Sequence, residues 1–303
     1  MRFTTRALRH KDTRILIVFL FVLGLAPAAG PAADRAPYVV TTDWLAEHLN
    51  DRNFVLLQAG SRTDYDAGHI PGALYIGADE IATPMSADPM FELPPPAQLQ
   101  GAFEKRGIDD ASRIVVCFGK DAIQTAARLM LTLDYIGLGA QSSMLDGGVE
   151  AWRTAGLTVT TEVRTPAPGK LTVKVRDDVV VDLAAVRSML GRPDVILIDA
   201  RLPNFYKGES AGRASRPGRI PGAVNLPYNS LFDSSTKMKD RSALEALFRE
   251  AGLKPGQRIV TYCHIGQTAS VVYLAARSLG YDVRLYDGSY TEWSSKPDLP
   301  VEK

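Results

Sequence analysis

The stretch Ile259–Ser270, IVTYCHIGQTAS, decides how this chain is read. Its opening residues form a continuous apolar run, the pattern of a strand buried on both faces. Thr268–Leu279, TASVVYLAARSL, then reads as a helix stopped by Gly280. Between the two, the chain must reverse tightly after Cys263, and Gly266 supplies the backbone freedom. Such a turn directs backbone N–H groups and the positive end of a helix dipole, about half an elementary charge, toward one sulfur. The arrangement stabilises an anion or a charged sulfur adduct at Cys263. It also lies beyond the carboxyl end of a strand, where open α/β sheets bind ligands. The competing reading, a small buried core cysteine, does not explain the turn and helix start that follow it.

Working outward, the neighbouring segments prove to be repeated. RIVTYC (Arg258–Cys263) answers to RIVVCF (Arg113–Phe118), and RIPGAVNL (Arg219–Leu226) to HIPGALYI (His69–Ile76). YDGSYTEW (Tyr286–Trp293) answers to LDGGVEAW (Leu145–Trp152). The order is the same in both halves, so the chain is a tandem duplication rather than a solenoid. The expected layout is a first domain over 34–160, a linker over 161–176 and a second domain over 177–303. TTEVRTPAPGK (Thr160–Lys170), rich in Thr and Pro, marks the join. Within the second half, VILIDA (Val195–Ala200) reads as a strand and SALEALFREA (Ser242–Ala251) as a helix. Ser242 and Glu245 have the spacing of a capping box. Strands alternating with helices imply an α/β fold, a mostly parallel sheet flanked by helices in each half.

Composition removes several classes. With 46% hydrophobic and 23% charged residues in 303, the chain is neither collagen-like, coiled-coil nor disordered. A net charge of +1 gives no field that would draw nucleic acid, and none is expected as a partner. Two cysteines cannot build a disulfide framework, and four scattered histidines make no His-rich site, so no metal is expected. A Cys117–Cys263 bridge stays open, although Cys117 is more simply a core residue at a strand end. At the N-terminus, Arg2, Arg6, Arg9, Lys11 and Arg14 precede the apolar run Ile15–Leu25 and then APAAGPAAD. This is the pattern of a secretory signal peptide, assigned to 1–33, and the apolar run is too short to span a bilayer. The mature protein is expected to be exported, periplasmic or extracellular, without stable membrane insertion.

Taken together, DAR (Asp199–Arg201), IPGAVNLP (Ile220–Pro227), CHIGQT (Cys263–Thr268), DGSYTEW (Asp287–Trp293) and the terminal PDLP resemble the rhodanese sulfurtransferase family in its tandem two-domain form. The resemblance implies that Cys263 takes a sulfane sulfur from a donor, holds it as a persulfide and passes it to cyanide or a thiol. Thiosulfate is the expected donor and 3-mercaptopyruvate the alternative. No cofactor is implied. The loop His264, Ile265, Gly266, Gln267, Thr268 and Ala269 would bind substrate, with backbone N–H groups aimed at the terminal sulfur. His264, partly protonated near neutral pH, is a candidate contact for an anionic donor. The family places its second substrate arginine in the loop that here holds Arg213, with Lys207 and Arg216 as nearby cations. Phe205 stands where the family often has an arginine, and Arg219 where the motif usually has histidine. Asp199 and Arg201 are expected to fix the loop through an ion pair.

The first half departs from this pattern. Phe118 aligns with Cys263, Cys117 with Tyr262, Gln58 with Asp199 and Gly60 with Arg201. The loop FGKDAIQT is also two residues longer before Thr125, the match of Thr268. A phenylalanine cannot carry a persulfide, so this copy is expected to be catalytically silent, with His69 a motif residue rather than a ligand. A cysteine-dependent phosphatase would need an arginine six residues after the cysteine, and Ala269 stands there. A sulfur carrier that loads Cys263 but delivers only to a partner protein is the other alternative.

Overall fold

The structure is a computed structural model describing residues 38–303, so the expected signal segment lies outside the described residues. It contains two five-stranded sheets. The first comprises β1 (Val39–Val40), β2 (Phe54–Ala59), β3 (Leu74–Ile76), β4 (Arg113–Phe118) and β5 (Ser142–Leu145), in the order β1-β5-β4-β2-β3. The second repeats that order as β6-β10-β9-β7-β8, with β6 (Val180–Val181), β7 (Val195–Asp199), β8 (Val224–Asn225), β9 (Arg258–Tyr262) and β10 (Val283–Tyr286). Every ladder is parallel. Parallel neighbours need crossover connections, and the helices that supply them cover both faces. That is why the central strands are apolar throughout rather than alternating.

Register makes the duplication exact to the residue. Gln58 pairs with Cys117 in the first sheet, and Asp199 pairs with Tyr262 in the second. Phe118 and Cys263 therefore occupy equivalent places, each one residue beyond those pairs.

Side chains on a strand alternate between faces, and here the alternation separates two kinds of core. Val115 and Cys117 point into an apolar cluster belonging to the first half alone. Val260 and Tyr262 do the same in the second half. Ile114, Val116 and Phe118 instead join Ile259 and Cys263 in one cluster shared by both halves. Cys263 thus faces the first half, whereas Cys117 faces away from the second. Both cysteines are free, and the bridge left open above is not formed.

Two helices fill the shared core, Ile123–Tyr135 and Ala269–Leu279, and the second is buried continuously from Ala269 to Ala276. Gly280, at φ +84°, ends it and donates to the Ala276 and Arg277 carbonyls. Between the two helices the Asp134 carboxylate accepts from the Tyr273 hydroxyl at 2.7 Å, Arg277 Nε at 3.0 Å and Arg176 Nη1 at 2.8 Å. The buried charge of the first half is thereby paired by the second half and by the segment between them. That segment, residues 161–176, has neither helix nor strand, and several of its amides bond to the first half. Gly169, Lys174 and Arg176 donate to the Glu104, Ile136 and Tyr135 carbonyls.

One helix start differs from its expected form. The helix runs Arg241–Glu250 and is capped by Asp240, whose carboxylate accepts from the Ala243 amide at 2.8 Å. Ser242 is already inside the first turn and donates its hydroxyl to Asp240 Oδ1. A carboxylate one residue before the helix outcompetes a serine because it also complements the dipole. No helix among the described residues is long and apolar enough to cross a membrane.

Candidate functional site

Cys263 follows β9 directly and is 2% exposed. Its backbone is held on both sides. The amide donates to Ser289 Oγ at 3.3 Å, and the carbonyl accepts from the Tyr290 amide at 2.9 Å. The next carbonyl, His264, accepts from Thr291 N at 3.0 Å. The turn after β10 therefore grips the start of the loop at three points. Sequence reasoning missed Ser289, which holds φ +54°. A signal existed, because the matching position in the first half is Gly148, at φ +58°.

After Cys263 the chain turns at Gly266, φ +80°, and enters the helix at Ala269. Among the described residues, the amides of His264, Ile265, Gly266, Gln267, Thr268 and Ala269 donate to no other group. Six consecutive N–H groups without a protein partner thus follow the thiol and lead into an 11-residue helix, whose N-terminal end carries the positive side of its dipole. The sulfur is at the same time nearly sealed, packed on its inner side by the shared core.

The first-half loop is built differently. Gly119 donates to Ala59 O of β2 at 3.2 Å and Ala122 to Gly119 O at 3.3 Å, so its run of unpartnered amides is interrupted. Phe118 fills the place of the thiol. A Cβ on Gly148 would stand 2.8 Å from the Phe118 ring, so this position must be glycine here and can be serine in the other copy.

Asp199 and Arg201 form the expected ion pair, fully inside the protein. Arg201 Nη2 donates to Asp199 Oδ2 at 2.6 Å and to Gly218 O at 2.7 Å, while Nε reaches Oδ1 at 2.9 Å. The guanidinium lies 4.1 Å from the Tyr290 ring centroid. The pair thus ties the ends of β7 and the Gly218 turn to the turn that grips Cys263.

His264 corrects an expectation. Its ring lies edge-on to Phe205 at 4.8 Å, and Gly212 approaches so closely that a Cβ there would meet Nε2 at 2.7 Å. Burial, and then the Arg201 charge, push its pKa down to about 4. The imidazole is therefore neutral near pH 7 and carries no charge for an anionic donor. Arg216 also has another role. Its guanidinium donates to the Ser294, Leu299 and Lys296 carbonyls at 2.7 to 3.0 Å, tying down the C-terminal segment instead of facing the loop. Arg213 is exposed and near enough to His264 to help lower its pKa. Lys207 is exposed at the end of the Pro203–Tyr206 helix. Arg219 pairs with Glu302. His69 is buried against Tyr65, its ring nitrogens 2.9 and 3.0 Å from the Tyr65 and Glu162 carbonyls.

Ile265 reaches across to the first half and packs on Ala82 and Phe91. Beside it opens a cavity of about 410 Å³, lined by Met90, Glu92, Ile265, Thr291 and Lys296 among others. Burial and the Asp287 and Glu292 carboxylates push the Glu92 pKa up to about 7.

The family model for the rhodanese-like domain matches residues 41–155 and again residues 182–296. A thiosulfate sulfurtransferase of Azotobacter vinelandii is 32% identical over 88% of this chain and 97% of its own length. A 3-mercaptopyruvate sulfurtransferase of Escherichia coli is 28% identical over 88% of the chain and 98% of its own length. The sulfur carrier protein TtuD of Thermus thermophilus is 31% identical over 88% and 96%. Among solved structures, an anaerobic ergothioneine biosynthesis enzyme from Chlorobium limicola shares the fold with a TM-score of 0.80 at 23% identity, over 89% of this chain and 71% of that one.

Proposed function

The chain belongs to the rhodanese family of sulfurtransferases, and we propose that it moves a sulfane sulfur from thiosulfate to cyanide or a thiol through a persulfide on Cys263. The Cys263 thiolate attacks the outer sulfur of thiosulfate, a Cys–S bond forms, and the S–S bond breaks with its electron pair leaving on sulfite. The acceptor then attacks the terminal sulfur, forming thiocyanate or a new persulfide, and the thiolate is released. Neither step requires a redox partner.

The run of unpaired amides from His264 to Ala269, next to a free cysteine, carries this reading. They supply donors for the negative terminal sulfur that cost no reorganisation when it arrives. The near-sealed thiol suits a small donor such as thiosulfate, with the exposed Arg213 as the cation at the rim. A second reading, 3-mercaptopyruvate as donor, draws on the neutral His264 and the committed Arg216, which leave less positive charge than a dianion would favour. The first half is catalytically silent because Phe118 replaces the nucleophile. Export rests on the basic residues ahead of Ile15–Leu25.

The deciding experiment is mass spectrometry of the protein after incubation with thiosulfate or 3-mercaptopyruvate separately. The expected result is one added sulfur at Cys263 with thiosulfate, discharged by cyanide over many turnovers, and none in Cys263→Ser. Loading without turnover would instead mark a sulfur carrier. Cyanide-dependent thiocyanate production by Cys263→Ser would overturn the assignment.

A further inference from the structure

The half that lacks the nucleophile reaches directly into the loop that has it. Arg128, on the Ile123–Tyr135 helix of the first half, has a side chain with 0% exposure. Its Nη1 donates to Asp287 Oδ1 at 2.6 Å and its Nη2 to Phe91 O at 2.9 Å. The other Asp287 oxygen accepts from Leu93 N, also of the first half, at 2.8 Å. Asp287 opens the turn whose Ser289, Tyr290 and Thr291 hold Cys263 and His264. The same guanidinium also backs the loop itself. A Cβ on Gly266 would stand 3.1 Å from Arg128 Nη1 and 3.2 Å from Asp287 Oδ1.

The arrangement is one-sided. At the silent copy, Asp146 matches Asp287 and likewise accepts a backbone amide from the other half, Met238 N at 2.8 Å. With Thr125 aligned to Thr268, however, the residue matching Arg128 is Val271. At this helix position the cysteine-bearing loop has an arginine behind it, and the other loop a valine. Phe91, whose carbonyl takes the second Arg128 bond, holds φ +60° and packs its side chain on Ile265. A bulky residue adopts that backbone only where the surroundings impose it.

We propose that Arg128 is a positioning residue for sulfur transfer, through which the silent half sets the shape of the Cys263 loop. It acts on the loop from two directions, by orienting Asp287 and the turn that follows it and by backing Gly266. The inference rests on the Cys263 persulfide reading and can fail separately from it.

The test uses the full chain and compares Arg128→Met and Arg128→Lys with wild type. Thiosulfate–cyanide turnover is measured together with hydrogen–deuterium exchange of the Cys263, Tyr290 and Thr291 amides, whose bonds hold the loop. Because small misplacements in an active site can cost up to about a hundredfold, Arg128→Met is expected to lower kcat about tenfold or more, with a smaller change in KM. Exchange at these three amides should quicken, and Arg128→Lys, which keeps the charge but not the forked geometry, should fall between. Should Arg128→Met fail to fold, Arg128→Lys decides alone, through a reduced kcat and faster exchange at these amides at an unchanged melting temperature. Wild-type kcat and wild-type exchange at these amides in a folded variant would overturn the proposal. If Cys263→Ser were inactive while the Arg128 variants matched wild type, this inference alone would fall.

Discussion

The hydroxyl of Ser289 accepts the amide hydrogen of Cys263 at 3.3 Å and donates its own hydrogen to the Tyr286 carbonyl at 2.8 Å. One side chain thereby connects the end of β10 to the first residue of the loop after β9. It does so from a backbone conformation, φ +54°, that glycine adopts more readily.

This conflict is separable by substitution. Ser289→Ala loses both hydrogen bonds and keeps the unfavourable φ, so it should destabilise the protein by about 1–2 kcal/mol. Ser289→Gly loses the same bonds but relieves the backbone, and should unfold at higher denaturant than Ser289→Ala. Urea titration of the two variants checks the order; the reverse order would mean that the backbone there is unstrained.

The neutral His264 makes a prediction about acid. Its pKa is about 4 folded and 6.5 when free of the fold, so the unfolded chain binds the proton first as pH falls. The stability linked to this group is complete above about pH 6.5 and is lost progressively toward pH 4. His264→Gln lacks that loss, and its melting temperature should fall less steeply over the same interval. Parallel melting curves for the two proteins would contradict the assignment.

Glu92 behaves in the opposite sense. Held near 7 by burial and two neighbouring carboxylates, it binds a proton more tightly folded than unfolded. Its contribution is present below the free value of 4.5 and lost as pH rises through about 7. Glu92→Gln should therefore raise the melting temperature at pH 8 and change it little at pH 5. Equal effects at the two values would show that titration is not involved.

The Asp199–Arg201 pair is sealed from water, so removing one partner strands the other charge. Arg201→Met should cost about 3–5 kcal/mol of stability, well above the figure for an exposed pair. The exposed pair Arg62–Asp66 offers the contrast, since Arg62→Met should cost less than about 1 kcal/mol. Chemical denaturation of both variants tests the difference.

Cys117 faces the private core of the first half, where burial pushes its thiol well above the ordinary range. Cys117→Ser should leave turnover within about twofold of wild type and cost about 1–3 kcal/mol by burying an unpaired hydroxyl. A large loss of kcat at unchanged stability would give the first half a chemical role it is not assigned here.

Much of this was legible because it is local or repeated. The apolar runs of β7 and β9, the helix stop at Gly280 and the Asp199–Arg201 spacing are short-range patterns. Aligning the halves placed Phe118 against Cys263, and the sheet register bears out that alignment. What escaped was carried by contacts between distant segments. His264 is neutral because Phe205 and Gly212 close over it, and nothing adjacent to His264 in sequence signals that. Arg216 resembles a free cation until the C-terminal carbonyls are folded onto it. Asp240 and Ser242 are both plausible caps, and the choice depends on where the first turn begins. Arg128 was invisible for the same reason. It belongs to the other copy, and its partner Asp287 lies 159 residues away in sequence.

The helices Ile123–Tyr135 and Ala269–Leu279 are each buried almost all round, and each owes part of that shelter to the other half. Cutting the chain in the middle would leave both pieces with an oily flank in water. The half with Phe118 in the place of Cys263 is therefore not dispensable baggage. Each half keeps the other's flank dry, so neither is shed without exposing its sibling.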